Sequence, residues 1–149
     1  MTLAAWVERK DPKIQKAMEK IASLKDTDKN HRVRSPFPWT DRAPIKEEFD
    51  GEQIKDAIEI ASKVNVPIKS IVTVQHSVDP LHVAAYVLNP SDKSKPAPSG
   101  VPVDLPIVLK YKGQLLLWDG NHRTTAHWSL GDKTVKARVA DLDAIKKTK

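Results

Sequence analysis

Apolar residues in this chain recur at two periods, three-to-four and two, and the switches between them lay out helices and strands. Ile14, Ala17, Met18, Ile21 and Leu24 share one helical face, opposite Lys13, Lys16, Glu19 and Lys20. Asp11 stands where a cap is needed, and Pro12 takes the first helical position, where its missing N–H is no loss. Residues 25–34 are polar and show no period. Pro36, Pro38 and Pro44 then bar a helix interior or a central strand. Residues 35–44 are therefore expected as an extended linker, pinned to the body by Phe37 and Trp39.

The main domain is expected to start near Asp50. Asp50 with Gln53 three residues on approximates a capping box, and Ile54, Ala57, Ile58, Ala61 and Val64 follow at helical spacing. Pro67 is expected to close that helix, and residues 68–75, rich in β-branched side chains, to form one strand. Asp79-Pro80 restarts a helix through Leu81, Val83, Ala84, Ala85, Val87 and Leu88. Residues 89–102 hold four prolines and read as a mobile loop, of a length often found in lids and partner sites.

Two apolar runs, 105–111 and 114–118, flank Lys112-Gly113 and predict a hairpin. Asp119-Gly120 ends the second run, and residues 121–130 form a helix stopped by Gly131. Residues 134–140 set Val135, Ala137 and Val139 inward with Lys136 and Arg138 outward, a strand with one wet face. Residues 141–147 end as a short helix. The order predicts an α+β fold, a small mixed sheet with flanking helices, plus an N-terminal helical arm. It divides into residues 1–49, the helix and Pro-rich linker, and residues 50–149, the main domain. The arm is able to pack on that domain or on a second copy, which would make a homodimer.

Charge and composition narrow the chemistry. Lys and Arg number 25 against 19 Asp and Glu, a formal charge of +6 and a pI near 9.5. That balance suits a polyanionic partner such as nucleic acid, and equally the solvated surface of a small basic protein. Mean hydropathy is −0.47 and no run approaches the roughly 18 apolar residues of a membrane span. The first ten residues hold Glu8 and no apolar core of a leader, so the expectation is a cytoplasmic, membrane-free protein. Cysteine is absent, which excludes disulfides, zinc–thiolate sites and thiol nucleophiles.

The chemically informative stretch is Trp118-Asp119-Gly120-Asn121-His122-Arg123-Thr124-Thr125-Ala126. It reads as a strand, a glycine turn and a helix that opens on polar and basic residues. The first amides of a helix lack intrahelical partners and carry the positive end of the dipole. An anion there would also meet His122 and Arg123, with Gly120 letting the backbone come close. The bland alternative is an ordinary turn in which Asp119 or Asn121 caps the helix and His122 and Arg123 are solvated.

The pattern Pro106-Ile107-Val108, Gly113-Gln114, the run from Leu117 to Ala126, Gly131 and Val135 to Val139 resembles the ParB/sulfiredoxin superfamily. Residues 68–75 and the following helix resemble that family's first strand and helix. The likeness spans about half of the chain, residues 66–141. It implies that the loop and helix start bind the phosphates of a nucleotide. Relatives include partition proteins that use CTP, sulfiredoxin that uses ATP, free-serine kinases that use ADP, and nucleases. Lacking cysteine, this chain cannot perform the sulfiredoxin reaction. With few residues after the last strand, it is not expected to be a whole partition protein. The Asp-Gly-x-His-Arg form is similar instead to the kinase and nuclease-like branches, which include phage and mobile-element proteins.

On that resemblance, Gly120, Asn121, His122, Arg123 and Thr124 are the expected phosphate binders, with Gln75 and Thr73 on the opposite wall. His122, Asp119 and Arg123 are the expected catalytic residues, and Asp119 the expected Mg²⁺ ligand; ATP, ADP or CTP is the expected ligand. Of the five histidines, His122 and His127 lie about 140° apart around a helix and cannot share a ligand. His76, Asp79 and His82 fall near the first strand. Trp118 and Trp128 read as core or pocket wall. Two functions follow: phosphoryl transfer or phosphodiester hydrolysis at the 119–123 loop, or a non-catalytic module that binds nucleotide, DNA or protein.

Overall fold

The computed structural model describes residues 12–27, 31–88 and 105–145. Asp11 and the proline-rich loop at 89–102 lie outside them. The elements are α1 (Pro12–Ala22), β1 (Val33–Arg34), α2 (Ala43–Glu48), α3 (Gly51–Glu59), β2 (Ser62–Pro67), β3 (Ile71–Thr73) and β4 (Ser77–Val78). They continue as α4 (Pro80–Leu88), β5 (Ile107–Tyr111), β6 (Gln114–Asp119), α5 (Asn121–Ser129) and β7 (Thr134–Asp141), with 3-10 turns at Ile68–Ser70 and Leu142–Ala144. Five strands form a mixed sheet in the order β2-β7-β5-β6-β3, and β1 pairs with β4 in a separate ribbon. The chain is an α+β protein with helices flanking a small mixed sheet.

The hairpin forms as its turn chemistry dictates. Lys112 and Gly113 both take positive φ, 51° and 76°, the twist a two-residue connection needs. The Asp143 carboxylate accepts both of their amides, at 2.6 and 3.1 Å. Around the hairpin, β5 joins β6 antiparallel and β7 parallel, while β3 joins β6 parallel with Thr73 opposite Leu117.

Each sheet face has its own core. On one, Ile54, Ala57 and Ile58 of α3 pack with Ile45, Phe49, Leu109 and Leu116. On the other, Phe37, Ile71, Val108, Leu117, Val135 and Ala137 pack with Trp128 of α5 at the margin. Ala17, Met18 and Ile21 of α1 are buried with Val83, Ala84 and Val87 of α4 and Ala126 of α5. Among the described residues no helix is long and apolar enough to cross a membrane.

Four segments differ from the sequence expectation. The helix capped by Asp50 and Gln53, a true capping box, stops at Glu59 rather than running to Val64. Ile60 is left 85% exposed, and residues 62–67 become β2, paired along their whole length with β7. Ala61 and Val64 match helical spacing, but Val64 and Val66 also match a period of two, and the pairing with β7 decides. Pro67 therefore ends a strand, and the expected strand at 68–75 shrinks to β3 behind a 3-10 turn. Residues 35–44 are not a plain linker: α2 starts at Ala43 with Pro44 in its first turn, where proline is tolerated. The expected closing helix at 141–147 is a 3-10 turn over its described part.

Candidate functional site

The 119–124 turn is set by a steric contact rather than by a capping side chain. Gly120 is the residue before α5, at φ 86°, and no side chain caps the helix there. A Cβ at Gly120 would lie 2.8 Å from the Pro106 Cα and 2.9 Å from its Cβ. Positive φ disfavours a side chain, and this close approach leaves no room for one. The first turn of α5 is thereby fixed against the start of β5, with its dipole directed at the Asp119–Asn121 corner.

The polar side chains expected to bind phosphate brace the turn. The Thr73 hydroxyl donates to Asn121 Oδ1 at 2.5 Å and accepts the Gln75 N–H at 3.1 Å. Gln75 Nε2 donates to the Ser77 carbonyl at 2.6 Å. Thr124 Oγ1 donates to the Gly120 carbonyl and Thr125 Oγ1 to that of Asn121, at 2.9 and 2.7 Å. Thr73, Asn121, Thr124 and Thr125 are all buried. Their bonds hold β3, the glycine turn and α5 in one rigid unit, the condition for a preorganised site.

Arg123 differs from a solvated first-turn arginine: it is only 6% exposed, its guanidinium 5.1 Å from the centre of the Tyr86 ring of α4. Through that contact it joins α5 to α4. His122 is also tied to α4. Its Nε2 accepts the backbone N–H of Asp79 at 3.0 Å, so the ring is neutral with its proton on Nδ1. His82 meets that ring edge-on at 5.2 Å and lies 4.0 Å from the Asp79 carboxylate. For His122 to act as an acid through Nε2, its bond to Asp79 must first break. His127 turns away, as its helical position requires, and pairs with Asp132 at 2.8 Å.

Asp119 sits at the end of β6, half-buried, with Oδ1 accepting the Gly120 N–H at 2.8 Å. Burial pushes its carboxyl up from the ordinary 3.8, against the opposing pull of that hydrogen bond. A raised carboxyl holds its proton more tightly in the folded chain. The stability this favours is complete below pH 3.8 and is lost as pH rises through the folded value. Asp119→Asn, neutral throughout, is expected to gain stability on the wild type in passing from about pH 3.5 to about pH 7. Urea denaturation at the two values checks this; a constant difference between the proteins contradicts it.

Glu48 lies by Lys112 at the turn end of the hairpin, far along β6 from Asp119. Among the described residues no three His, Asp or Glu side chains gather as a metal would need. Two surface grooves lie elsewhere: Trp118 lines one with Phe49, Ile54 and Lys46, and Trp128 the other with Lys20, Lys69 and Lys133.

Sequence reasoning missed one feature beside the turn. Trp39, expected to pin the linker, is 45% exposed and stacks on His76, ring centres 4.0 Å apart and planes 18° apart. Phe37 does the pinning, buried in the α5-side core. The available signal was the spacing Phe37-Pro38-Trp39, which puts two aromatic rings on one face of an extended segment.

The sequence matches no protein-family model and no curated protein. Among solved structures, sulfiredoxin from Arabidopsis thaliana is similar at a TM-score of 0.42 and 22% identity, over 54% of this chain and 85% of that one.

Proposed function

We propose that this chain is a phosphate-binding domain of the ParB/sulfiredoxin type, and that the phosphate belongs to a nucleotide. The observation that carries this reading is Gly120, held at positive φ against Pro106, so that the cap residue of α5 has no side chain and the amides after it receive no side-chain cap. Helix amides and dipole favour an anion there, and Arg123 in the first turn adds a full positive charge. The braces from Thr73, Thr124 and Thr125 keep the amides in place, so little is lost to ordering when the ligand arrives. The Asp-Gly-x-His-Arg pattern of the same residues supports the family reading.

Mg²⁺ fits this arrangement as a companion of the nucleotide. Asp119 would offer one carboxylate oxygen, with phosphate oxygens and water as the remaining ligands. When bound, the ion would screen phosphate charge; Arg123 would neutralise the remainder, and Gly120 would allow the backbone to approach. The direct test is calorimetric titration with ATP, ADP, CTP, GTP and a short DNA duplex, with and without Mg²⁺. Saturable nucleotide binding supports the reading, and binding of none of them refutes it.

Asp119 favours a second reading, in which bound phosphate is transferred or hydrolysed. A carboxyl raised by burial beside an anion site is suited to general acid–base work. Metal-dependent turnover of labelled ATP or DNA, lost in Asp119→Asn with binding retained, would establish it.

A further inference from the structure

We propose that the Trp39–His76 stack is the platform for the base of the bound nucleotide, an inference that rests on the phosphate reading of the 119–124 turn. Trp39 is carried by a short segment that extends the sheet beyond β3. The Thr73 N–H donates to the Pro38 carbonyl at 2.7 Å, and the Thr40 N–H to the Thr73 carbonyl at 2.9 Å, which makes a parallel bridge between Trp39 and Thr73. Bridged residues in adjacent strands point to the same face, about 4.8 Å apart. Phe37 confirms the phase, since two residues earlier it is buried in the core that also holds Ile71.

Trp39 therefore lies on the α5 face, next to the threonine whose hydroxyl meets Asn121, the first residue of that helix. One strand spacing and one side-chain contact separate an exposed aromatic ring from the start of α5. Its companion is held as well: the His76 carbonyl accepts the Ser35 N–H at 2.9 Å, and the two rings stack at 4.0 Å. A large ring left 45% exposed on a backbone pinned at both neighbours loses little entropy when a base covers it. The phosphates would reach the turn while the base lies over the indole, so the two halves of a nucleotide take two chemically suited surfaces. Stacking of this kind tolerates any base, because each has a π-face.

The test pairs ATP with inorganic tripolyphosphate, titrated into wild type, Trp39→Ala and Trp39→Phe. Trp39→Ala is expected to weaken ATP about 5- to 150-fold, the scale of one stacked base, and to leave tripolyphosphate unchanged. Trp39→Phe should recover most of the loss, which a merely structural defect at the sheet edge would not do. Equal ATP affinity in wild type and Trp39→Ala overturns the platform while leaving the phosphate site standing, as does an equal loss of both ligands. Failure of wild type to bind either ligand overturns the phosphate reading, and the platform with it. Binding of a short single-stranded oligonucleotide but not of ATP overturns the mononucleotide assignment.

Discussion

Gly120→Ala is expected to cost about 2–5 kcal/mol of folding stability, the sum of two separate penalties. An alanine at φ 86° places its Cβ against its own backbone, worth about 1–2 kcal/mol. The same Cβ would lie 2.8 Å from the Pro106 Cα, backbone that cannot swing aside as a flexible side chain would. Forcing the strand and the helix start apart adds about 1–3 kcal/mol, the usual cost of overpacking. Gly131 supplies the control. It too has positive φ, 79°, but nothing lies within 4 Å of its would-be Cβ, so Gly131→Ala should lose only the first penalty. Urea denaturation of both variants separates the terms, provided the slope with denaturant stays that of the wild type. Equal losses in the two would show that the Pro106 contact carries no energy.

Arg123→Ala is expected to act on ligand and fold together. Removal of the guanidinium should weaken ATP binding by about 1.5–3 kcal/mol, roughly 10- to 150-fold, as for a charge-assisted hydrogen bond. Stability should also fall by about 0.5–2 kcal/mol, because the side chain is buried against Tyr86. Arg123→Lys keeps the charge but not the planar fork, so it should restore only part of either. The two effects separate if binding is measured well below the melting temperature of the weaker variant. A loss of stability with full ATP affinity would assign Arg123 wholly to the α4–α5 joint and remove it from the site.

How much of this was readable in advance depended on how far each feature reaches along the chain. The unit from Ile107 to Ser129 is local: a two-residue turn joins β5 to β6, and a single glycine joins β6 to α5. Turn residues and periodicity therefore specify it. The segment at 60–67 is not local. Val64 fits a helical period with Ala61 and a period of two with Val66, and only pairing with β7, far downstream, makes the segment a strand. The same holds at the site. The order of Asp119, Gly120, His122 and Arg123 marks a helix start that welcomes an anion. That Arg123 is buried, that His122 accepts from Asp79 and that Pro106 crowds Gly120 depend on α4 and β5 arriving beside the turn. In sequence Phe37 and Trp39 read alike as anchors of the linker; in the structure Phe37 supplies the anchor, and the bridge to Thr73 leaves the indole in the open.

Backbone amide shifts read directly where the phosphate binds. In a two-dimensional ¹H–¹⁵N titration of the wild type with ATP, the amides of Gly120, Asn121, His122, Arg123 and Thr124 are expected to move furthest and to saturate together. Tripolyphosphate should move the same set. Shifts concentrated instead at Lys20, Lys69, Trp128 and Lys133, with the 120–124 amides unmoved, would put the anion in the lysine-lined groove and contradict the site assigned to the glycine turn.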